Sequence, residues 1–320
     1  MPQGHQRPWQ FVPSAQTGLP SCAVGAKTPP IFAYENAHGV LVEPMGVGAK
    51  KLRVFAYENA FGVLVVVRCD MIDRAGELLD FDLTLLDSMV GGRNLLDLER
   101  PAVRLPDLRG ARRAVRLAGF DEAGRGALAG PVAVACVHID LGGASTGFDR
   151  GELASILAGL DDSKRLTPRR RESLYEAIAS VAAWGFGCAS ASEIDRFGIV
   201  RACRLAAVRA YAKLPVDADV LLLDRGLSLD AEDGTATPPG VSLTRGDARS
   251  LHIAAASVLA KVGRDAILDR FDSRFPGYGL SRHKGYGTAA HRDAIRRCGP
   301  SIVHRRSFCT RIERAQSQSR

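Results

Sequence analysis

Leu117-Ala118-Gly119-Phe120-Asp121-Glu122-Ala123-Gly124-Arg125-Gly126 starts on apolar and small residues, runs into two adjacent acids and turns on glycine–arginine–glycine. Pro131-Val132-Ala133-Val134-Ala135-Cys136-Val137 follows as a second apolar run of strand length. Two such runs across a glycine turn predict a pair of strands. A strand that carries two carboxylates to its end brings hard oxygen ligands beside a backbone able to approach a phosphate closely. An ordinary surface acid pair before a hairpin fits the same residues about equally well.

Further along, Val220-Leu221-Leu222-Leu223 ends on Asp224, which places a third acid at a strand terminus anchored in the core. Asp247, in Gly246-Asp247, precedes a long apolar-periodic segment; a helix N-cap is the alternative role for it. Acids converging from separate elements suit divalent ions such as Mg2+ or Mn2+, which prefer oxygen ligands. Two such ions roughly 3.5–4 Å apart can activate water and stabilise a leaving oxygen in phosphodiester hydrolysis. Repulsion within such a cluster should raise some of the metal-free carboxyl pKa values. The dispersed His252, His283, His291 and His304 fit packing or phosphate contact better than catalysis.

The surrounding pattern predicts strands near 115–121, 131–139, 184–190 and 220–223. Helices are expected at about 168–182, 199–213, 250–272 and 288–298, the first with Thr167 as cap and Pro168 in its first turn. Strands followed by helices, with a meander at the start, indicate an α/β or mixed α+β layer.

Of 320 residues, 46% are hydrophobic, enough for a full core. The net charge of +8 is uneven: residues 111–320 hold 32 Lys/Arg against 23 Asp/Glu, whereas residues 1–110 hold 11 against 12. A basic domain whose acids cluster at one point suits a polyanion gripped around a metal centre. Seven cysteines, an odd number without a CxxC pair, argue against a disulfide framework and a zinc module. No apolar run reaches membrane-spanning length and the N-terminus lacks a signal-peptide layout, so a cytoplasmic protein is expected. A monomer is expected as well.

The stretch from Ala118 to Val132 resembles the signature of the ribonuclease HII family, and other segments resemble further family elements in family order. These are Asp162-Ser163-Lys164-Arg165-Leu166-Thr167, Gly246-Asp247 with the segment to Asp265, Phe275-Pro276-Gly277-Tyr278-Gly279, His283-Lys284-Gly285-Tyr286-Gly287-Thr288 and His304-Arg305-Arg306-Ser307-Phe308. The resemblance covers about residues 115–310. It implies a ribonuclease H-like mixed sheet flanked by helices, with a C-terminal helical region. It further implies that Asp121, Glu122, Asp224 and Asp247 are catalytic and hold metal.

Gly124, Arg125 and Gly126 would recognise the ribose 2′-hydroxyl and its phosphate, the group that separates RNA from DNA. Tyr286 would stack at an RNA-to-DNA junction, and Lys164 and Arg264 would contact phosphates. The implied partners are RNA–DNA hybrids and duplex DNA carrying ribonucleotides, as in ribonucleotide excision repair. Cleavage would fall 5′ of the ribonucleotide, leaving 3′-hydroxyl and 5′-phosphate ends. Rival readings are a nuclease for branched DNA and an inactive or altered nucleic-acid-binding relative.

One departure stands out: the family has glycine directly after the third aspartate, where Arg225 intervenes before Gly226. Strain in that turn is the favoured expectation, with phosphate pairing by Arg225 as the other. Residues 1–110 are expected to be a largely disordered extension and 111–320 the catalytic domain. Within the extension, residues 1–30 read as a loose tail. A hairpin-like unit occurs twice, from Phe32 to Val42 and from Phe55 to Val65, too few copies for a solenoid.

Overall fold

The computed structural model describes residues 53–59, 62–68, 74–91, 106, 108–109, 114–141, 150–161, 163–229 and 237–317. They belong to two units, Met1–Ile72 and Asp73–Arg320. In the first, strands β1 (Arg53–Asn59) and β2 (Gly62–Arg68) pair antiparallel, Arg53 opposite Arg68 and Asn59 opposite Gly62. The second copy of the repeated unit therefore lies on a hairpin. Its first copy, the tail, Asp162 and residues 230–236 lie outside the described residues.

The second unit is built on a five-stranded sheet. Strands β3 (Leu117–Ala123), β4 (Val132–Ile139) and β5 (Ala182–Ala189) form an antiparallel meander. On the other side of β3, β6 (Val220–Asp224) runs parallel to it and β7 (Gly240–Leu243) parallel to β6, giving the order β5-β4-β3-β6-β7. The mixed sheet matches the expected class, and β7 is a strand that the sequence pattern did not announce. β4 is apolar along nearly its whole length because both of its faces are covered.

The pleat sorts the strands between two cores. Leu117, Ala135 and Val137 face one layer with α3 (Pro168–Val181) and α6 (Leu251–Arg274). Ala118, Phe120, Val134 and Cys136 face α5 (Ile199–Tyr211). Each fully buried leucine or isoleucine in these layers contributes about 1.5–3 kcal/mol. α3 starts where its cap predicts, Thr167 accepting from the Arg170 amide. The first ten residues of α6 are buried all round, so it is a core helix rather than an amphipathic surface one. Shorter helices complete the unit: α2 (Arg150–Ile156), α4 (Ala191–Phe197), α7 (Leu280–His283), α8 (Ala289–Cys298) and α9 (Arg306–Ser317).

The boundary expected at residue 110 differs from the one in the structure. Helix α1 (Arg74–Gly91) belongs to the same compact unit as the sheet. Ala75, Leu78, Leu79, Asp82, Leu85 and Met89 recur at helical spacing and are buried, the apolar ones packing in the α6 layer. The acid-rich composition of this stretch hides the pattern, because an aspartate occupies one position of the apolar stripe.

Candidate active site

β3 and β6 are parallel neighbours with Phe120 opposite Leu223, so Asp121 and Asp224 emerge side by side at the same sheet end. One oxygen each from Asp121, Glu122 and Asp224 lies within 4.8 Å of the others. Three of the four expected carboxylates thus converge. Asp247 stands beside this group, 5% exposed, on a single 3-10 turn (Gly246–Ala248) ahead of α6. It is not the helix cap: Ser250 holds that place, accepting from the Ile253 amide. The turn is tied to the cluster by the Gly246 amide, which donates to Asp224 Oδ1 at 2.8 Å.

Burial pushes the Asp121 carboxyl well above the usual range, and the charges of Glu122 and Asp224 push it further. A hydrogen bond from Ser257 of α6 opposes them. Glu122 is also raised, chiefly by burial, with the Arg125 guanidinium 3.5 Å away pulling the other way. Glu122 Oε2 is buried and has no hydrogen-bond partner among the described residues. Lys164 Nζ lies 3.4 Å from Asp247 Oδ2 on a side chain that is mostly exposed. Crowded carboxylates, still raised in pKa beside Arg125 and Lys164, and an orphaned buried oxygen fit a hard divalent cation.

The two glycines flanking Arg125 differ. Gly124 has φ +87° and no room for a side chain, since a Cβ would meet the Arg264 guanidinium. Gly126 has open space where its Cβ would point. Arg125 reaches the Gly226 carbonyl at 3.4 Å. Behind this loop stand two fully buried arginines. Arg305 donates to the carbonyls of Gly124, Arg125 and Gly130 at 2.7–3.0 Å. Arg264 donates to those of Ala129, Pro131 and Lys284 at 2.9–3.0 Å.

The expectation that Arg264 contacts phosphate is therefore corrected. Its guanidinium is enclosed, each of its nitrogens donates to a main-chain carbonyl, and Tyr286 covers it with the ring centroid 5.4 Å away. Arg305 had no role assigned; its signal was only its place in His304-Arg305-Arg306-Ser307-Phe308.

The histidines form part of the same clasp. His291 Nδ1 lies 3.0 Å from the Tyr286 carbonyl and its Nε2 lies 3.1 Å from His304 Nε2. The Ser301 amide donates to His304 Nδ1 at 3.0 Å. These partners assign the tautomers: His291 carries its proton on Nδ1, and His304 donates from Nε2. Burial lowers both pKa values to about 4, which keeps the pair neutral. Tyr286, held by this chain of bonds, is 37% exposed. His252 lies elsewhere, fully buried against Asp82 of α1.

Arg225 does not strain its loop, contrary to expectation. The Leu227 amide donates to the Asp224 carbonyl at 3.2 Å, closing a turn with Arg225 and Gly226 in its centre. Gly226 takes the positive φ, +98°, whereas Arg225 has none. The extra residue occupies the first central position, which any side chain tolerates, and glycine occupies the second, which requires it.

A family model described as ribonuclease HII matches residues 118–311, which spans the sheet, the carboxylates, the glycine loop and the clasp. The chain belongs to the ribonuclease HII family. The ribonuclease HII of Parasynechococcus marenigrum is 47% identical over 197 residues, 61% of this chain and 83% of that protein. The ribonuclease HII of Syntrophotalea carbinolica is 47% identical over 197 residues, 60% of this chain and 85% of its own length. The solved ribonuclease H2 of Pyrococcus horikoshii, at 23% identity and a TM-score of 0.52, covers 64% of this chain and all of its own, and shows the fold. As a ribonuclease HII family member the chain is a metal-dependent ribonuclease of the ribonuclease H type, acting on nucleic acid. Among the described residues no helix is long and apolar enough to cross a membrane.

Proposed function

We propose that this ribonuclease HII cuts the RNA strand of RNA–DNA hybrids and cuts 5′ of single ribonucleotides in duplex DNA, leaving 3′-hydroxyl and 5′-phosphate ends. The observation that carries this reading is the triad of Asp121, Glu122 and Asp224 oxygens within 4.8 Å, beside a glycine loop with open space at Gly126. These three carboxylates, with Asp247 as the fourth, would hold two divalent ions, Mg2+ or Mn2+. When bound, the ions would activate water and neutralise charge on the leaving oxygen.

The chain's own residues select the substrate. Gly126 has neither a positive φ nor a crowded Cβ position, so the fold makes no demand for glycine there. A nucleic-acid backbone approaching the loop does make that demand. The Gly124–Gly126 main chain then reads the ribose 2′-hydroxyl, with Arg125 at the adjacent phosphate. Tyr286 is part-exposed on a rigid support, with Arg264 against its ring, and stacks at the RNA-to-DNA junction. Lys164, largely solvent-facing, meets phosphate near Asp247. Arg264 and Arg305 act behind the loop, holding its carbonyls inward.

The test is a duplex DNA with one ribonucleotide, incubated with Mg2+, Mn2+ or chelator and compared with all-DNA and all-RNA duplexes. The expected result is a single metal-dependent cut 5′ of the ribonucleotide, with products that a DNA polymerase extends without end repair. Cleavage of all-DNA duplex at a similar rate, or 2′,3′-cyclic phosphate ends, would sink the reading.

A further inference from the structure

Helix α1 lies wholly before the residues matched by the family model, yet it grips the turn that carries Asp247. Three successive contacts make the grip. Arg74 donates to the Ala248 carbonyl and reaches Asp161 at 3.4 Å. The Phe81 ring lies under the Arg249 guanidinium at 4.9 Å. Asp82 Oδ2 faces both the His252 amide, at 3.1 Å, and His252 Nδ1, at 2.7 Å. The other ring nitrogen reaches the Ile139 carbonyl of β4 at 3.0 Å, so His252 spans from helix to sheet.

The chemistry of Asp82 points to positioning rather than bulk stability. It occupies one place in a stripe otherwise made of alanine, leucine, serine and methionine, and it is fully buried. Its second oxygen, Oδ1, has no hydrogen-bond partner among the described residues. Desolvating a carboxylate and leaving half of it unmatched is costly, and an apolar residue would pack there more cheaply. What aspartate adds is orientation: it holds one peptide and one ring at the start of α6. That helix also brings Ser257 to Asp121, and its preceding turn joins Asp224 through Gly246.

We propose that α1 is a positioning element of the metal centre. Asp82, through His252, and Arg74, through Ala248, set the turn that presents Asp247 and the first turn of α6. The inference rests on reading the carboxylate cluster as the metal site.

The experiment uses the full chain and follows Mn2+ binding by calorimetry without substrate, alongside hydrogen exchange over residues 246–253. Asp82→Ala should weaken Mn2+ binding about tenfold, the low end of the loss typical for residues that orient metal ligands. Arg74→Ala, which acts through a single carbonyl, should weaken it less, by about threefold. Both should speed exchange over 246–253. The hybrid KM should stay within about twofold, since no substrate contact is touched. Leu174→Ala, a core deletion in α3, should lower the melting temperature and leave Mn2+ binding and that exchange unchanged.

Arg74 is partly exposed, so its variant tests the idea even if Asp82→Ala does not fold. A folded Arg74→Ala with wild-type Mn2+ affinity and wild-type exchange overturns the inference, as does an equal loss of affinity in Leu174→Ala. Wild-type protein that binds Mn2+ but cuts no hybrid would overturn the proposed function alone.

Discussion

At the ends of β3 and β6, carboxylates crowd together with one buried oxygen unmatched, while the loop that leaves β3 enters a clasp where nearly every polar group has a partner. The first region keeps Asp121 and Glu122 raised in pKa by burial and by their neighbours. The second satisfies six loop and C-terminal carbonyls with two buried arginines and fixes Tyr286 through two neutral histidines. Yet both regions bury charge. Arg305 is depressed to about 10 by burial, but each of its three nitrogens finds an acceptor. The contrast is that the arginines of the clasp, each nitrogen hydrogen-bonded, serve architecture, whereas the crowded carboxylates at the strand ends, raised by one another, suit a cation.

The largest effect should come from Asp121→Asn. It keeps the shape and removes a ligand charge, so cleavage should fall about a thousandfold, equivalent to about 4 kcal/mol, while hybrid binding persists on the basic surface. Stability should move the other way. A carboxyl whose folded pKa is raised costs the fold stability as pH climbs from its ordinary unfolded value up through the raised one. At pH 7, well above the unfolded value, the variant in chelator should therefore melt higher, by on the order of 3 °C. Retention of more than about a tenth of the wild-type rate, or a lower melting temperature, would break the contrast.

Arg305→Met should behave in the opposite way. It leaves the carbonyls of Arg125 and Gly130 without their arginine donor and that of Gly124 with only the Ala127 amide, and urea unfolding should show a loss of about 3 kcal/mol. Metal binding by the folded fraction should change little. A loss under about 1 kcal/mol would mean that water or neighbouring side chains replace the arginine.

Arg225→Ala should have the smallest effect. Its turn is unstrained, so the Mg2+ dependence of cleavage should superimpose on the wild type. If the arginine meets phosphate, the plot of log affinity against log salt should flatten by about one unit. A shifted Mg2+ midpoint would place Arg225 among the supports of Asp224 instead.

Much of this architecture is legible in the chain before any fold is seen. Four expected helices start within about two residues of their observed first turns, because caps such as Thr167 with Pro168 are local chemistry. The strands that carry Asp121 and Asp224 are legible for the same reason, as short apolar runs that meet an acid, although β3 runs on to Ala123. Less visible were elements whose reason lies elsewhere in the molecule. β7 is four residues long and exists because β6 offers it an edge. α1 was hidden because its stripe contains an aspartate whose partner, His252, lies 170 residues away.

The amino-acid order by itself determined the two acids at the end of β3, the third at the end of β6, the glycine loop and the covered strand β4. Those depend on hydrophobic periodicity and turn chemistry over a few residues. Only the tertiary structure decided that Arg264 is a buried brace, that Arg225 rides an unstrained turn, and that helix α1 shares a compact unit with the sheet. A guanidinium beside a phosphate and one beside three carbonyls are the same letter in a sequence. Which it becomes depends on whether water or main chain surrounds it, and that is settled by packing between residues far apart in the chain.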